Sequence, residues 1–169
     1  MFGRNGAKGL PGGKGGKFDP PSITVFSLKA SGDTAPLQVI EGPQTQLDWP
    51  AGLYLDQDAG ELFVANDIGD SILVFRETDD GDAKPVRILK GPKTGLKNPT
   101  GVYGDSKNHE LVAANMGNHS ATVYPLTASG DVAPLRTIRG APAGKVALAI
   151  GNPGAVGYDS KRDEILVPN

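Results

Sequence analysis

Cysteine is absent from the 169 residues, which excludes disulfides, thiolate metal sites, c-type haem attachment and a cysteine nucleophile. Histidine occurs twice and tryptophan once, and aromatic side chains make up 6% of the chain. No apolar run approaches the roughly 18 residues needed to span a bilayer. The first 20 residues lack the apolar stretch of a secretory signal, so the chain carries no visible membrane address and its compartment stays open. Glycine and proline, by contrast, are abundant, at 24 and 14 residues. Both interrupt helices, and glycine supplies the positive φ of tight turns, so the composition predicts short strands joined by many turns, with no long helix.

The formal charge of −2 is unevenly spread. Arg4, Lys8, Lys14 and Lys17 precede the first acid, Asp19, and leave 13 bases against 19 acids, a net −6, for the rest. Such an acidic body lacks the basic face that displaces counterions from phosphates, and no nucleic-acid partner is expected.

A period runs through the chain. Phe26, Phe75 and Tyr124 are 49 residues apart, as are Gly32, Gly81 and Gly130, then Asp33, Asp82 and Asp131, then Pro36, Pro85 and Pro134, then Gly42, Gly91 and Gly140. The second half of each unit repeats Pro50, Pro99 and Pro153, then Asp56, Asp105 and Asp159, then Leu62, Leu111 and Ile165, then Asn66, Asn115 and Asn169, at spacings of 49 and 54. Five residues have therefore entered the third unit, where Ala141 to Asn152 replaces Pro92 to Asn98. An insertion confined to one connection marks a surface loop.

Four apolar stretches fill each unit. In the first they are Ile23 to Leu28, Leu37 to Ile40, Gly52 to Asp56 and Glu61 to Asn66, parted by Gly32-Asp33, Gly42-Pro43, Trp49-Pro50 and Ala59-Gly60. Runs such as Ile72-Leu73-Val74-Phe75 do not alternate with polar residues. A strand wet on one face alternates, whereas one covered on both faces is apolar throughout. Small sheets sandwiched between their neighbours, at a period of about 40 to 50 residues, are the signature of a β-propeller. The fold expected is all-β: a partial β-propeller of three four-stranded antiparallel blades, with a flexible Gly/Lys-rich tail at 1–20 and units at about 21–70, 71–119 and 120–169.

Pro99-Thr100-Gly101-Val102, Asp105, Glu110-Leu111-Val112-Ala113-Ala114-Asn115 and Gly117-Asn118-His119 together resemble the NHL-repeat pattern. Pro50-Ala51-Gly52-Leu53, Asp56, Leu62-Phe63-Val64-Ala65-Asn66-Asp67 and Gly69-Asp70 are similar. Ser71 and Ser120 stand where the family often has arginine, and the third unit reads Pro153-Gly154-Ala155. The resemblance implies a propeller that closes with six blades, so three units imply a piece of a longer protein or, second, two chains that complete one ring. It also allows a periplasmic or extracellular place for a longer form.

Glycine at 3, 6, 9, 12 and 15 gives the tail a collagen-like period, too short to trust over a disordered Gly/Lys tail. Gly9 to Lys14 fails as a phosphate loop, since no Ser or Thr follows either lysine and no strand precedes it.

Connections between second and third strands, and from each fourth strand to the next blade, share one face, the usual partner surface of propellers. That face gathers Trp49, Asn66, Asp67, Asp70, Asn98, Asn115, Asn118, His119, Asn152 and the apolar insertion Val146 to Ile150, expected to plug the central channel or to form a contact patch. Asn66, Asn115 and Asn169 are expected to bond the backbone of the turn that follows each. Asp33, Asp82 and Asp131 read as turn formers. Trp49 departs from Asn98 and Asn152 at the same repeat position, so the repeat does not explain it. His109 lies on the opposite face.

The function expected is a non-catalytic scaffold that binds a protein or polymer partner, with no cofactor, no membrane partner, and self-association to complete the propeller. The alternatives are a metal-dependent hydrolase resembling gluconolactonases or a lyase using His119. In the former family an asparagine follows the strand-leading proline, where this chain has Ala51, Thr100 and Gly154.

Overall fold

A computed structural model describes residues 20–139, 141–142, 145 and 150–168. The 1–19 segment with its Gly-x-y period, Val146 to Ala149 of the insertion, Gly140 and Asn169 lie outside the described residues.

Every strand pairs antiparallel. β1 (Ser22–Val25) and β2 (Gln38–Glu41) form a hairpin. β3 (Pro50–Asp56), β4 (Glu61–Asn66), β5 (Ser71–Arg76) and β6 (Arg87–Lys90) make one four-stranded sheet in sequence order. β7 (Pro99–Asp105), β8 (Glu110–Asn115), β9 (Ser120–Pro125) and β10 (Arg136–Ile138) make a second, and β11 (Gly157–Asp159) with β12 (Glu164–Leu166) a closing hairpin. Each four-stranded sheet is a propeller blade. The blades straddle the sequence repeats, so a half-blade stands at each end.

The apolar runs bury on both faces. In the first blade, Phe63, Ala65, Ile72 and Val74 pack towards the second blade with Leu89, Leu96, Val102, Leu111, Ala113 and Tyr124. Val64, Leu73 and Phe75, on the opposite face, pack with Ile23 and Ile40 of the first hairpin. The strand's two-residue period thus divides an unbroken apolar run between two interfaces.

Blade-to-blade contacts also run through the backbone. Gly81 bridges the β2 edge, where its carbonyl accepts from Glu41 N–H at 3.0 Å and its N–H donates to Val39 at 2.8 Å. Gly130 does the same for β6, with Lys90 at 3.1 Å and Ile88 at 2.7 Å. Asp82 and Asp131 accept from the N–H groups of Gln44 and Lys93 in the preceding unit, each at 2.7 Å. These aspartates, expected as local turn formers, are clasps between neighbouring units. A neighbour one repeat away is invisible to a local turn signal.

β1 is shorter than the expected Ile23 to Leu28. Phe26 and Leu28 leave the strand and are 48% and 102% exposed, whereas Phe75 and Tyr124 at the position of Phe26 are fully buried. The described chain has no blade ahead of β1 for them to cover.

Tyr124 donates its hydroxyl hydrogen bond to the Thr94 carbonyl at 2.6 Å. Burial pushes this phenol up to about 12, against a smaller lowering by Thr122. The unfolded chain releases the proton near the ordinary value of 10 and the folded chain does not, so this group's contribution is complete below pH 10 and is lost as pH rises towards 12. Denaturation midpoints should therefore fall across pH 10 to 12. In Tyr124→Phe that decline should flatten, from a lower starting stability because the Thr94 carbonyl loses its donor.

Candidate functional site

Antiparallel pairing puts the β4–β5 and β8–β9 turns and the linkers into β3, β7 and β11 at one end of the blades. All nine expected residues stand at this end, but most are already engaged. Asn66 is buried, accepts from Asp48 N–H at 2.7 Å and donates to the Gln46 carbonyl and to Ser71 Oγ, each at 3.1 Å. Asn115 is buried, accepts from Lys97 N–H at 3.3 Å and donates to Thr122 Oγ1 at 2.9 Å. The repeated asparagines therefore tie the linker entering their own blade, not the turn that follows. A side chain at the end of the second strand lies beneath that linker, which its sequence position does not reveal.

Asp70 crosses between blades: its carboxylate accepts from Asn98 N–H and from Lys97 Nζ, both at 2.7 Å. His119, the equivalent residue, meets the Gly151 carbonyl through Nδ1. A carbonyl only accepts, so Nδ1 is the donor in this contact. Asn118 donates to the Gly95 carbonyl at 2.9 Å and accepts from Ser120 Oγ at 2.6 Å. Asn98 offers its own carbonyl to Met116 N–H at 3.1 Å. Asp67 is buried, and its Oδ1 has no hydrogen-bond partner among the described residues. Asn152 is exposed.

Trp49 behaves differently. It is 61% exposed and has a φ of 63°, in the left-handed region. Asn98 at the equivalent position is also left-handed, at 45°. Asparagine tolerates that conformation, whereas a bulky residue there is strained by about 1 to 2 kcal/mol. The Trp49 and Asp48 carbonyls hold Asp67 N–H at 3.1 Å and Ile68 N–H at 3.2 Å, which sets exposed Ile68 beside the indole's loop. Met116, also exposed, occupies the corresponding turn of the second blade. The end of the blades thus presents apolar groups above a layer of satisfied amides.

A second feature escaped the sequence reading. A cavity of about 590 Å³ opens between the second blade and the last hairpin, lined by Val112, Ile138 and Ile165 and rimmed by Glu110, Arg136 and Tyr158. Arg136 and Glu110 pair through two bonds of 2.6 Å, and Arg87 and Glu61 form the same two-pronged pair in the first blade. The 26-residue spacing shared by those pairs was the available sequence signal. Beside the cavity Tyr158 donates to Asp163, a bond that pushes the phenol up to about 12 and holds the carboxyl below its ordinary range.

No known family's sequence profile matches the chain, and no curated protein matches it. Solved structures do. A chain of Kuenenia stuttgartiensis hydrazine synthase matches 79% of this chain at 14% identity, with a TM-score of 0.55, and is covered to 32%. A chain of a nidogen/laminin complex also matches 79%, at 23% identity and a TM-score of 0.53, and is covered to 44%. Both neighbours are propeller-type proteins. At these identities the likeness establishes the β-propeller architecture, and the chain spans less than half the length of either.

Proposed function

We propose that this β-propeller module is a non-catalytic binding scaffold, and that the loop end around Trp49 holds a protein or polymer partner through an apolar anchor. The strained, exposed indole carries the reading. A residue held in a costly conformation persists where something other than folding favours it. Tryptophan and methionine are enriched at the centres of interfaces, and a surface tryptophan is a frequent anchor. The polar residues around it are engaged in capping the backbone, and Thr100, in the position where gluconolactonases carry a ligating asparagine, donates its hydroxyl to the Pro153 carbonyl at 2.6 Å. The NHL resemblance supports the same reading, since this end is the usual partner surface of propellers.

Trp49→Asn separates binding from folding. Relief of the left-handed strain should raise stability by about 1 kcal/mol, a melting-temperature increase of about 2 to 4 °C. Affinity should fall by about 30-fold or more for a peptide selected from a random display library on the native chain. Trp49 is the sole tryptophan, so its emission reports occupancy directly. Selected peptides that bind Trp49→Asn and the native chain equally, without changing that emission, would refute the reading. Calcium calorimetry addresses the enzymatic alternative, for which tight one-site binding is the expected sign.

A further inference from the structure

Among the described residues, the cavity at the last hairpin is lined like an inter-blade interface but lacks the third-strand side chains that seal the first one, and matching side chains stand elsewhere in the chain. The repeat identifies both halves. Phe63, Leu89 and Leu111 stand at the positions of Val112, Ile138 and Ile165, and in the first interface they are sealed by Tyr124, with Leu126 and Ala128 packed alongside. Two repeats before Tyr124, Leu126 and Ala128 stand Phe26, Leu28 and Ala30. Phe26 and Leu28 are exposed on the first hairpin.

We propose that two copies of this chain associate head to tail, in both directions, with β1 of each pairing along β12 of the other. Register follows from the β8–β9 ladder, where Leu111 opposes Tyr124 and Val112 opposes Val123. Transposed, Ile165 opposes the second copy's Phe26 and Leu166 its Val25. The two hairpins then become one four-stranded blade, with Phe26 and Leu28 in the 590 Å³ cavity. Gly32 of the second copy takes the place of Gly81 and Gly130, and bridges the edge at Ile138.

Closure favours a second copy as the occupant. The described residues of one copy form two complete blades and two halves, so two copies of them make four complete and two composite blades, a ring of six. Propellers close with about four to eight blades, and the three blades' worth among the described residues of one copy falls short of that. Both free edges are removed together, which an unpaired arc cannot do. Two internal contacts are absent from this junction. Pro142, at the position of Gln44 and Lys93, has no N–H for Asp33, and Ala155 stands where Gly52 and Gly101 permit the closest inner-strand approach. The composite blade is therefore held by its ladder and by the aromatic plug.

Native mass spectrometry and light scattering of the full chain at micromolar concentration should give twice the 17.5 kDa chain mass. Phe26→Asp, at a half-exposed side chain outside its own copy's buried clusters, should give a folded monomer with an unchanged far-ultraviolet spectrum. The native chain lacks cysteine, so Val25→Cys with Leu166→Cys is a clean test. These positions transpose a directly opposed pair that is not hydrogen-bonded, where sulfurs reach each other. Oxidation should yield a reducible dimer on a denaturing gel. A folded native chain that stays monomeric, a crosslink formed within one chain, or an open ladder of higher species would each overturn the closed pair.

Discussion

Replacing Gly101 by alanine is expected to destabilise the chain by about 3 kcal/mol, the upper part of the usual range for overpacking. An added Cβ would lie 2.6 Å from Ala155 Cα, 2.8 Å from its carbonyl carbon and 3.0 Å from Val156 N. Those atoms are backbone, held by the segment leading into β11, so relief requires moving one inner strand away from the next. The same approach recurs one blade earlier, where a Cβ on Gly52 would meet the Thr100 carbonyl oxygen at 2.6 Å. Gly154→Ala is the control: nothing lies within 4 Å of a Cβ there, and reduced freedom of the unfolded chain should make it neutral or stabilising by up to about 1 kcal/mol. Urea denaturation of the two variants reads the difference, and equal midpoints would show that the inner strands do not meet as described.

Asn115→Ala should cost about 3 kcal/mol by the same measurement. The amide is fully buried and serves both the linker and the sheet, with Lys97 N–H as donor and Thr122 Oγ1 as acceptor, and Ser120 Oγ within 3.4 Å. Truncation takes the acceptor from Lys97 N–H and one partner each from Thr122 Oγ1 and Ser120 Oγ, which keep the Tyr124 hydroxyl and Asn118 Oδ1, and a polar group left unsatisfied costs about 1 to 3 kcal/mol. Asn115→Asp keeps the acceptor and loses the donor, so it should fall between alanine and the native chain only if the linker bond dominates. Asn66→Ala should lose a similar amount, because Asp48 N–H and the Gln46 carbonyl depend on it in the same way.

Both predictions concern residues that the repeat marks without explaining. Gly52 and Gly101 belong to a recurring Pro-x-Gly, yet a glycine there reads as a turn former until the neighbouring blade is seen within contact distance. Asn66 and Asn115 recur at strand ends, where an asparagine ordinarily bonds a following turn, and here the bonds return 18 to 20 residues to the preceding linker. Asp82 and Asp131 repeat the lesson across 38 residues. In each case the residue type was legible and its partner was not, because partners lie in a different strand or unit.

The sequence by itself determined that this chain is built of four-strand units covered on both faces: an unbroken apolar run bounded by turn residues, recurring every 49 positions, cannot leave either face in water. Only the tertiary structure decided which polar groups at the loop end are spent on the backbone, that Trp49 stands exposed in a left-handed conformation, and that, among the described residues, Phe26 is exposed while a cavity opens beside the last hairpin where Tyr124 fills the first interface. The reason is physical. Strand pattern is a property of neighbours along the chain, whereas exposure and hydrogen-bond partnership are set by which blade lies alongside.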